Sequence, residues 1–186
     1  NNEIGMPLTV LKLADEHEIA VFEMGMSGFG EISNMTKVAM PDMAVISNIG
    51  MSHIGNLGSQ KGILKAKLEV TEGFKENSVL AVNGDDMLLG QLTDCIKFGI
   101  EESCDVKAFN IKDDNAGCFF DTVLNGKVYT IRVNIPGRHN VYNALSAITV
   151  GLHFGVEPEK IISGIENAVS VGERMKINTF GGIRLI

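Results

Sequence analysis

Apolar runs alternate with segments of helical period along the first half of the chain. EIAVFEMG (18–25), AMPDMAVISNIG (39–50) and NSVLAVNGDD (77–86) read as short strands. Their apolar residues are continuous rather than alternating, which suits strands covered on both faces, as in a parallel sheet. Between them MPLTVLKLAD (6–15), ISNMTKVAM (32–40), GSQKGILKAKLEVTEGF (58–74) and DDMLLGQLTD (85–94) carry helical spacing. The alternation predicts a doubly wound α/β architecture, a mostly parallel sheet flanked by helices. From about 96 to 136 the texture becomes antiparallel, and Asn125-Gly126 between two extended runs signals a type I′ hairpin. After Pro136-Gly137 a long helix over 139–155 carries the stripe Val141, Leu145, Ile148 and Leu152. A second helix starts near Glu157-Pro158 and runs to about Val169, with Pro early in its first turn. MKINTFGGIRLI reads as two strand halves around a Gly-Gly turn.

The chain has 186 residues, a length that fits one ordinary domain. Sixteen Lys and Arg against 23 Asp and Glu leave a net charge of −7, which argues against a nucleic-acid partner because little basic surface is available to neutralise phosphates. No apolar run is long enough for a membrane span, and NNEIGMPLTV lacks the basic and apolar regions of a signal peptide. With no initiator Met and an abrupt GGIRLI end, the sequence reads as an excised piece. Cys95, Cys104 and Cys118 are odd in number and form no CxxC pair, so reduced thiols in a cytosolic setting are expected.

Two phosphate-binding patterns fail on inspection. Gly25, Gly28 and Gly30 give G-x-x-G-x-G, the reverse of the Rossmann order. Gly126-Lys127 is followed by Val128 inside a hairpin and has no glycine five residues before it, so it is not a P-loop.

Five residues carry chemistry instead. Glu23 ends the apolar run AVF, and a carboxylate at the carboxyl edge of a parallel sheet can hold Mg²⁺ or simply cap a strand end. His53 follows the second strand, where a loop histidine serves as a ligand or stays solvated. Winding 61–74 at about 100° per residue puts Lys61, Lys65, Glu69 and Glu72 on one side and Lys67 among Ile63, Leu64 and Phe74. An inward lysine is costly unless paired, altered or snorkelling to water, and desolvation lowers its pKa. Asn140 and Asn143 lie three residues apart, pointing away from the helix's apolar stripe. Their amides complement an adenine edge, or Asn140 caps the helix.

The stretches NNEIGMPLT (1–9), FEMGMSGFGEI (22–32), NIGMSHIGNLGSQKGILKAKLEV (48–70), PGRHNVYNALSAI (136–148) and GERM (172–175) resemble the ATP-dependent Mur ligases of peptidoglycan synthesis. FEMGMSGFGEI points to the branch that adds D-Ala-D-Ala to UDP-MurNAc-tripeptide. The resemblance implies the central, ATP-binding domain of a bacterial cytoplasmic ligase, with two Mg²⁺ ions and CO₂ taken up as a lysine carbamate. It implies that Glu23 and His53 hold metal and that Lys67 becomes a metal ligand as its carbamate. Asn140, Asn143 and His139 would contact adenine, Arg174 the ATP phosphates or ribose, and Asn1, Asn2, Ser27 and Gly28 the UDP-muramoyl-peptide. The family's P-loop lies upstream of NNEIG and its C-terminal domain beyond GGIRLI. The polypeptide by itself is therefore expected neither to hydrolyse ATP nor to ligate. Two other readings are a Mur-type ligase for a different amino acid and a non-catalytic scaffold of the same fold.

Overall fold

The computed structural model describes residues 2–114 and 116–169, and the backbone of Asn178–Phe180 and Ile183–Leu185. The chain divides into two compact units, Asn1–Val106 and Lys107–Ile186.

The first unit holds three parallel strands, β1 (Met43–Ile46), β2 (Val79–Asn83) and β3 (Ile96–Gly99). Met43 pairs with Val79 and Ala81 with Ile96. β2 is the central strand and its Leu80, Ala81 and Val82 are all buried, as the unbroken apolar run requires. β1 is covered on one face only, since Val45 is 40% exposed. Around the sheet lie α1 (Gly5–Val10), α2 (Glu31–Ala39), α3 (Ile54–Leu57) and α4 (Gln60–Leu68). Met6, Ile32, Met35, Ile46, Ile63 and Leu89 meet in one core.

Four expectations change here. Residues 18–25 form no strand, and Ile19 is 78% and Val21 90% exposed. Residues 85–94 form only a 3₁₀ turn, Leu89–Gln91, because the Asp86 side chain accepts from Leu88 N at 3.0 Å and Leu89 N at 3.1 Å. Such a local bond offers the backbone an alternative to a helix. The helix expected over 58–74 stops at Leu68, and Glu69–Gly73 continue as 3₁₀ turns. The helix expected over 6–15 ends at Val10.

The second unit is built on an antiparallel sheet. β4 (Val106–Asp114) pairs with β5 (Gly117–Leu124), and β5 with β6 (Lys127–Val133). The antiparallel region therefore begins at Val106 rather than near 96, since β3 runs parallel to β2. A bulge interrupts β4 between Phe109 and Lys112, with Asn110 at φ 52°. The hairpin turn has Asn125 at φ 49° and Gly126 at φ 78°, the left-handed pair that a type I′ turn requires. Asn125→Ala should therefore lower stability by about 1 kcal/mol, while Asn125→Gly leaves it near the original; urea unfolding reads both.

α5 (His139–His153) buries Val141, Leu145 and Ile148 as the stripe predicts. α6 (Pro158–Glu166) opens on its proline. Tyr129 donates to Glu159 Oε1 at 2.8 Å, and Asn134 Nδ2 donates to the Glu166 carbonyl at 2.6 Å, fastening α6 to β6 and the segment after it. β7 (Asn178–Phe180) and β8 (Ile183–Leu185) pair antiparallel, as the Gly-Gly punctuation suggests. Among the described residues no helix is long and apolar enough to cross a membrane.

All three cysteines are free thiols. Burial pushes the Cys104 thiol up to about 12, helped by the Asp85 carboxylate that accepts from its Sγ at 3.5 Å. Burial likewise raises Cys95 and Cys118. Because the thiolate is the reactive form, Ellman's reagent at pH 8 should label the folded chain at least about tenfold more slowly than the urea-unfolded chain.

Candidate active site

The loop that leaves β1 and the face of α4 enclose a cavity of about 180 Å³, lined among others by Met24, Met26, Asn48, Ser52, His53 and Lys67. It opens beyond the carboxyl end of β1, the edge where open parallel sheets bind ligands. Ser59 caps α4, its Oγ accepting from Gly62 N at 3.1 Å. Gly62 lets α4 approach α3, because a Cβ there would stand 2.0 Å from the Leu57 carbonyl oxygen.

Lys67 is half-buried and its Nζ donates to the Asn48 carbonyl at 2.7 Å. Burial lowers its pKa from the ordinary lysine value, and the Asp86 carboxylate pulls it partly back. The inward placement read from the helical wheel is therefore the observed one, and the lysine shares its cavity with His53. His53 is exposed and sits at φ 63° as the residue before α3. Left-handed backbone is uncommon for residues other than glycine, and histidine is among those that adopt it more readily.

Glu23 is exposed, one residue before Met24 at the cavity wall, and does not itself line the cavity. It ends no strand, so the edge-of-sheet argument does not place it. Ser27 donates its N–H to Glu31 Oε2 at 2.9 Å and accepts from Asn56 Nδ2 at 3.0 Å through its carbonyl. Gly28 lies against Glu31, whose Oε1 would be 3.2 Å from an added Cβ. Asn2 caps the start of α1, its Oδ1 accepting from Ile4 N at 3.1 Å and Gly5 N at 2.7 Å. Asn1 and Arg174 lie outside the described residues.

In the second unit, Asn140 is buried at 7% exposure, so the expectation that it points outward is corrected. Its Nδ2 donates to the Pro136 carbonyl at 2.9 Å, and its Oδ1 accepts from Asn143 Nδ2 at 3.0 Å. The pair thus pins the Pro136–His139 turn to α5, and no side-chain cap bond is made there. Asn143 and His139 are exposed. Gly137 sits at φ 109°, a backbone conformation that favours glycine.

Sequence reasoning missed three contributors. Asp86, in the NGDD stretch after β2, accepts from Ile49 N at 2.7 Å and so holds the peptide unit whose carbonyl, that of Asn48, meets Lys67. Its position after a parallel strand was the available signal. Glu69 binds the start of α2 from across the unit. The Asn48 carbonyl is a backbone group and carries no signal of residue type.

The cavity's donor set bears on a bound cation. His53 offers a ring nitrogen and Asn48 a carbonyl, whereas an unmodified Lys67 ammonium offers only hydrogens. Among the described residues no three His, Cys, Asp or Glu cluster as a metal site. The set fits a cation when Lys67 carries a carboxylate group, as a carbamate does.

A family model described as the Mur ligase middle domain matches residues 1–151. The UDP-N-acetylmuramoyl-tripeptide–D-alanyl-D-alanine ligase of Bacillus subtilis is 41% identical over 189 residues, covering 100% of this chain and 41% of the relative. The ligase of the same name from Escherichia coli is 30% identical, covering 94% of this chain and 40% of the relative. Among solved structures, MurF from Acinetobacter baumannii superposes with a TM-score of 0.91 at 30% identity, over 99% of this chain and 42% of that one. The chain thus spans about two fifths of the length of these relatives. The matched residues include both walls of the Lys67–His53 cavity and the Asn140–Asn143 turn, and the chain belongs to the Mur ligase middle-domain family.

Proposed function

We propose that the chain is the ATP-binding part of a ligase that adds D-Ala-D-Ala to UDP-MurNAc-tripeptide in peptidoglycan precursor synthesis. The observation that carries this reading is Lys67, half-buried beside His53 in a cavity at the carboxyl edge of the parallel strands. The names of the relatives supply the substrates.

The chemistry has two steps. The terminal carboxylate of the tripeptide attacks the γ-phosphorus of ATP and ADP leaves, giving an acyl phosphate. The free amine of D-Ala-D-Ala then attacks the acyl carbon, loses a proton, and expels phosphate as the amide forms. Mg²⁺, when bound, neutralises charge on the transferring phosphoryl oxygens. Lys67 as a carbamate, His53 and Glu23 are the residues assigned to two such ions. Burial favours the carbamate, because CO₂ adds to the neutral amine and desolvation enlarges the neutral fraction. Asn143, His139 and Arg174 are assigned to the nucleotide, with Asn140 holding the turn that carries His139 in place. Asn2, Ser27, Gly28 and Asn1 are assigned to the muramoyl-peptide side.

The test is phosphate release by a full-length ligase carrying this segment, given ATP, UDP-MurNAc-tripeptide and D-Ala-D-Ala. Release with the dipeptide is the expected result. Release with a single amino acid but not the dipeptide would reassign the acceptor, and no release with either would favour a non-catalytic scaffold.

A further inference from the structure

Glu69 lies two residues after Lys67, at the point where α4 tightens into 3₁₀ turns. α2 begins after Gly30, which has φ 87° and no side chain to cap the helix. The first N–H groups of a helix have no partner within it. Glu69 supplies the acceptor from 39 residues away. Its Oε1 and Oε2 accept from Gly30 N at 2.9 and 3.0 Å, and Oε2 also accepts from Ser33 N at 3.3 Å. A carboxylate at this end of a helix is also favoured by the helix dipole.

Further bonds fasten the same turn. Ser33 Oγ donates to Glu72 Oε2 at 2.6 Å, and Thr36 Oγ1 donates to the Val70 carbonyl at 2.6 Å. On the other side, the start of α2 holds the loop before it through Glu31 and Ser27, and Asn56 ties that loop to α3. Met24 and Met26, just upstream, line the cavity that holds Lys67.

We propose that Glu69 is a positioning residue for the muramoyl-peptide half of the site: it sets where the 24–30 loop stands relative to Lys67 without touching reacting atoms. This rests on the ligase reading above. Losing the clamp displaces the loop assigned to the peptide substrate, whereas Lys67 keeps its own bond to the Asn48 carbonyl. The effect therefore falls on binding of that substrate.

The experiment uses a full-length ligase carrying Glu69→Ala, Glu69→Gln or Glu69→Asp. Glu69→Ala should raise KM for UDP-MurNAc-tripeptide about tenfold, with kcat within about threefold and KM for D-Ala-D-Ala unchanged. Glu69→Gln keeps an oxygen on Gly30 N and should return KM to within about threefold of the original. Wild-type constants in Glu69→Ala, or a fall in kcat at unchanged KM, overturn the proposal. If the Ala variant does not fold, Glu69→Asp decides: its shorter arm raises the same KM, and an unchanged KM overturns. The Met24 and Met26 methyl resonances read the clamp without turnover. They should shift in Glu69→Ala and hold in Glu69→Gln; unmoved methyls in the Ala variant overturn the clamp even if the ligase reading stands. Absence of turnover in the unmutated protein counts against the ligase reading alone.

Discussion

Lys67→Ala is expected to abolish ligation, lowering kcat by at least about a thousandfold, and added bicarbonate should not restore it. The side chain leaves α4 into the cavity shared with His53, and its amine reaches the Asn48 carbonyl at 2.7 Å. Ala removes that reach and leaves the helix intact, since Ala is the best helix former. The informative comparison is Lys67→Arg. An arginine keeps the positive charge and most of the length but stays protonated and takes up no CO₂. If Lys67 works as a plain cation, the Arg variant should keep substantial activity. If it works as a carbamate, the Arg variant should be as inactive as the Ala variant. A carbamate would also appear as a new ¹³C resonance in ¹³C-bicarbonate, absent from both variants. It should strengthen as pH rises towards the lowered pKa of Lys67, because CO₂ adds only to the neutral amine. Activity in Lys67→Arg close to that of the unmutated enzyme would remove the carbamate from the mechanism.

The parts of the fold that were legible are those whose residue types act locally. Asn125-Gly126 specifies its turn by backbone preference alone, and Val141, Leu145 and Ile148 specify the buried face of α5 by spacing. The apolar run at 18–25 misled because β-propensity measures how well a residue fits a pleated, half-buried surface. Here Ile19 and Val21 have no strand beside them and stay exposed. The candidate site divides in the same way. Lys67 was legible because a regular helix carries it inward. A wheel kept at the α-helical angle past Leu68 puts Glu69 and Glu72 beside Lys61 and Lys65, away from the apolar side. The observed 3₁₀ turns have about three residues per turn and rotate both carboxylates onto α2. Asn140 looked outward by the same projection, yet its amide folds back to the Pro136 carbonyl four residues earlier. Contacts between a side chain and a distant backbone group leave no pattern along a chain.

Gly73→Ala is the second substitution with a large expected effect, a loss of about 2–3 kcal/mol in stability. At this chain length that corresponds to a fall in Tm of roughly 5–10 °C. A Cβ at position 73 would stand 2.2 Å from the Thr36 carbonyl oxygen, 2.5 Å from its carbon and 2.6 Å from Thr36 Oγ1. The obstacles are backbone atoms of α2 and a hydroxyl already bonded to Val70, on a residue that is 0% exposed. Neither can turn aside as the end of a flexible side chain would, so the 3₁₀ stretch must lift from α2. Gly55→Ala is the matched control, since a Cβ there meets nothing within 4 Å. In α3 the added methyl should be neutral or stabilising by up to about 1 kcal/mol. Glu69 lies on the same stretch as Gly73, so lifting it also lengthens the bonds to Gly30. Gly73→Ala should therefore raise KM for the muramoyl-peptide in the same direction as Glu69→Ala, and the double variant should fall short of the two effects combined. Simple additivity of the two would mean that the stretch and the carboxylate act separately, and a Tm for Gly73→Ala equal to that of Gly55→Ala would mean that the stretch is not held against α2 at all.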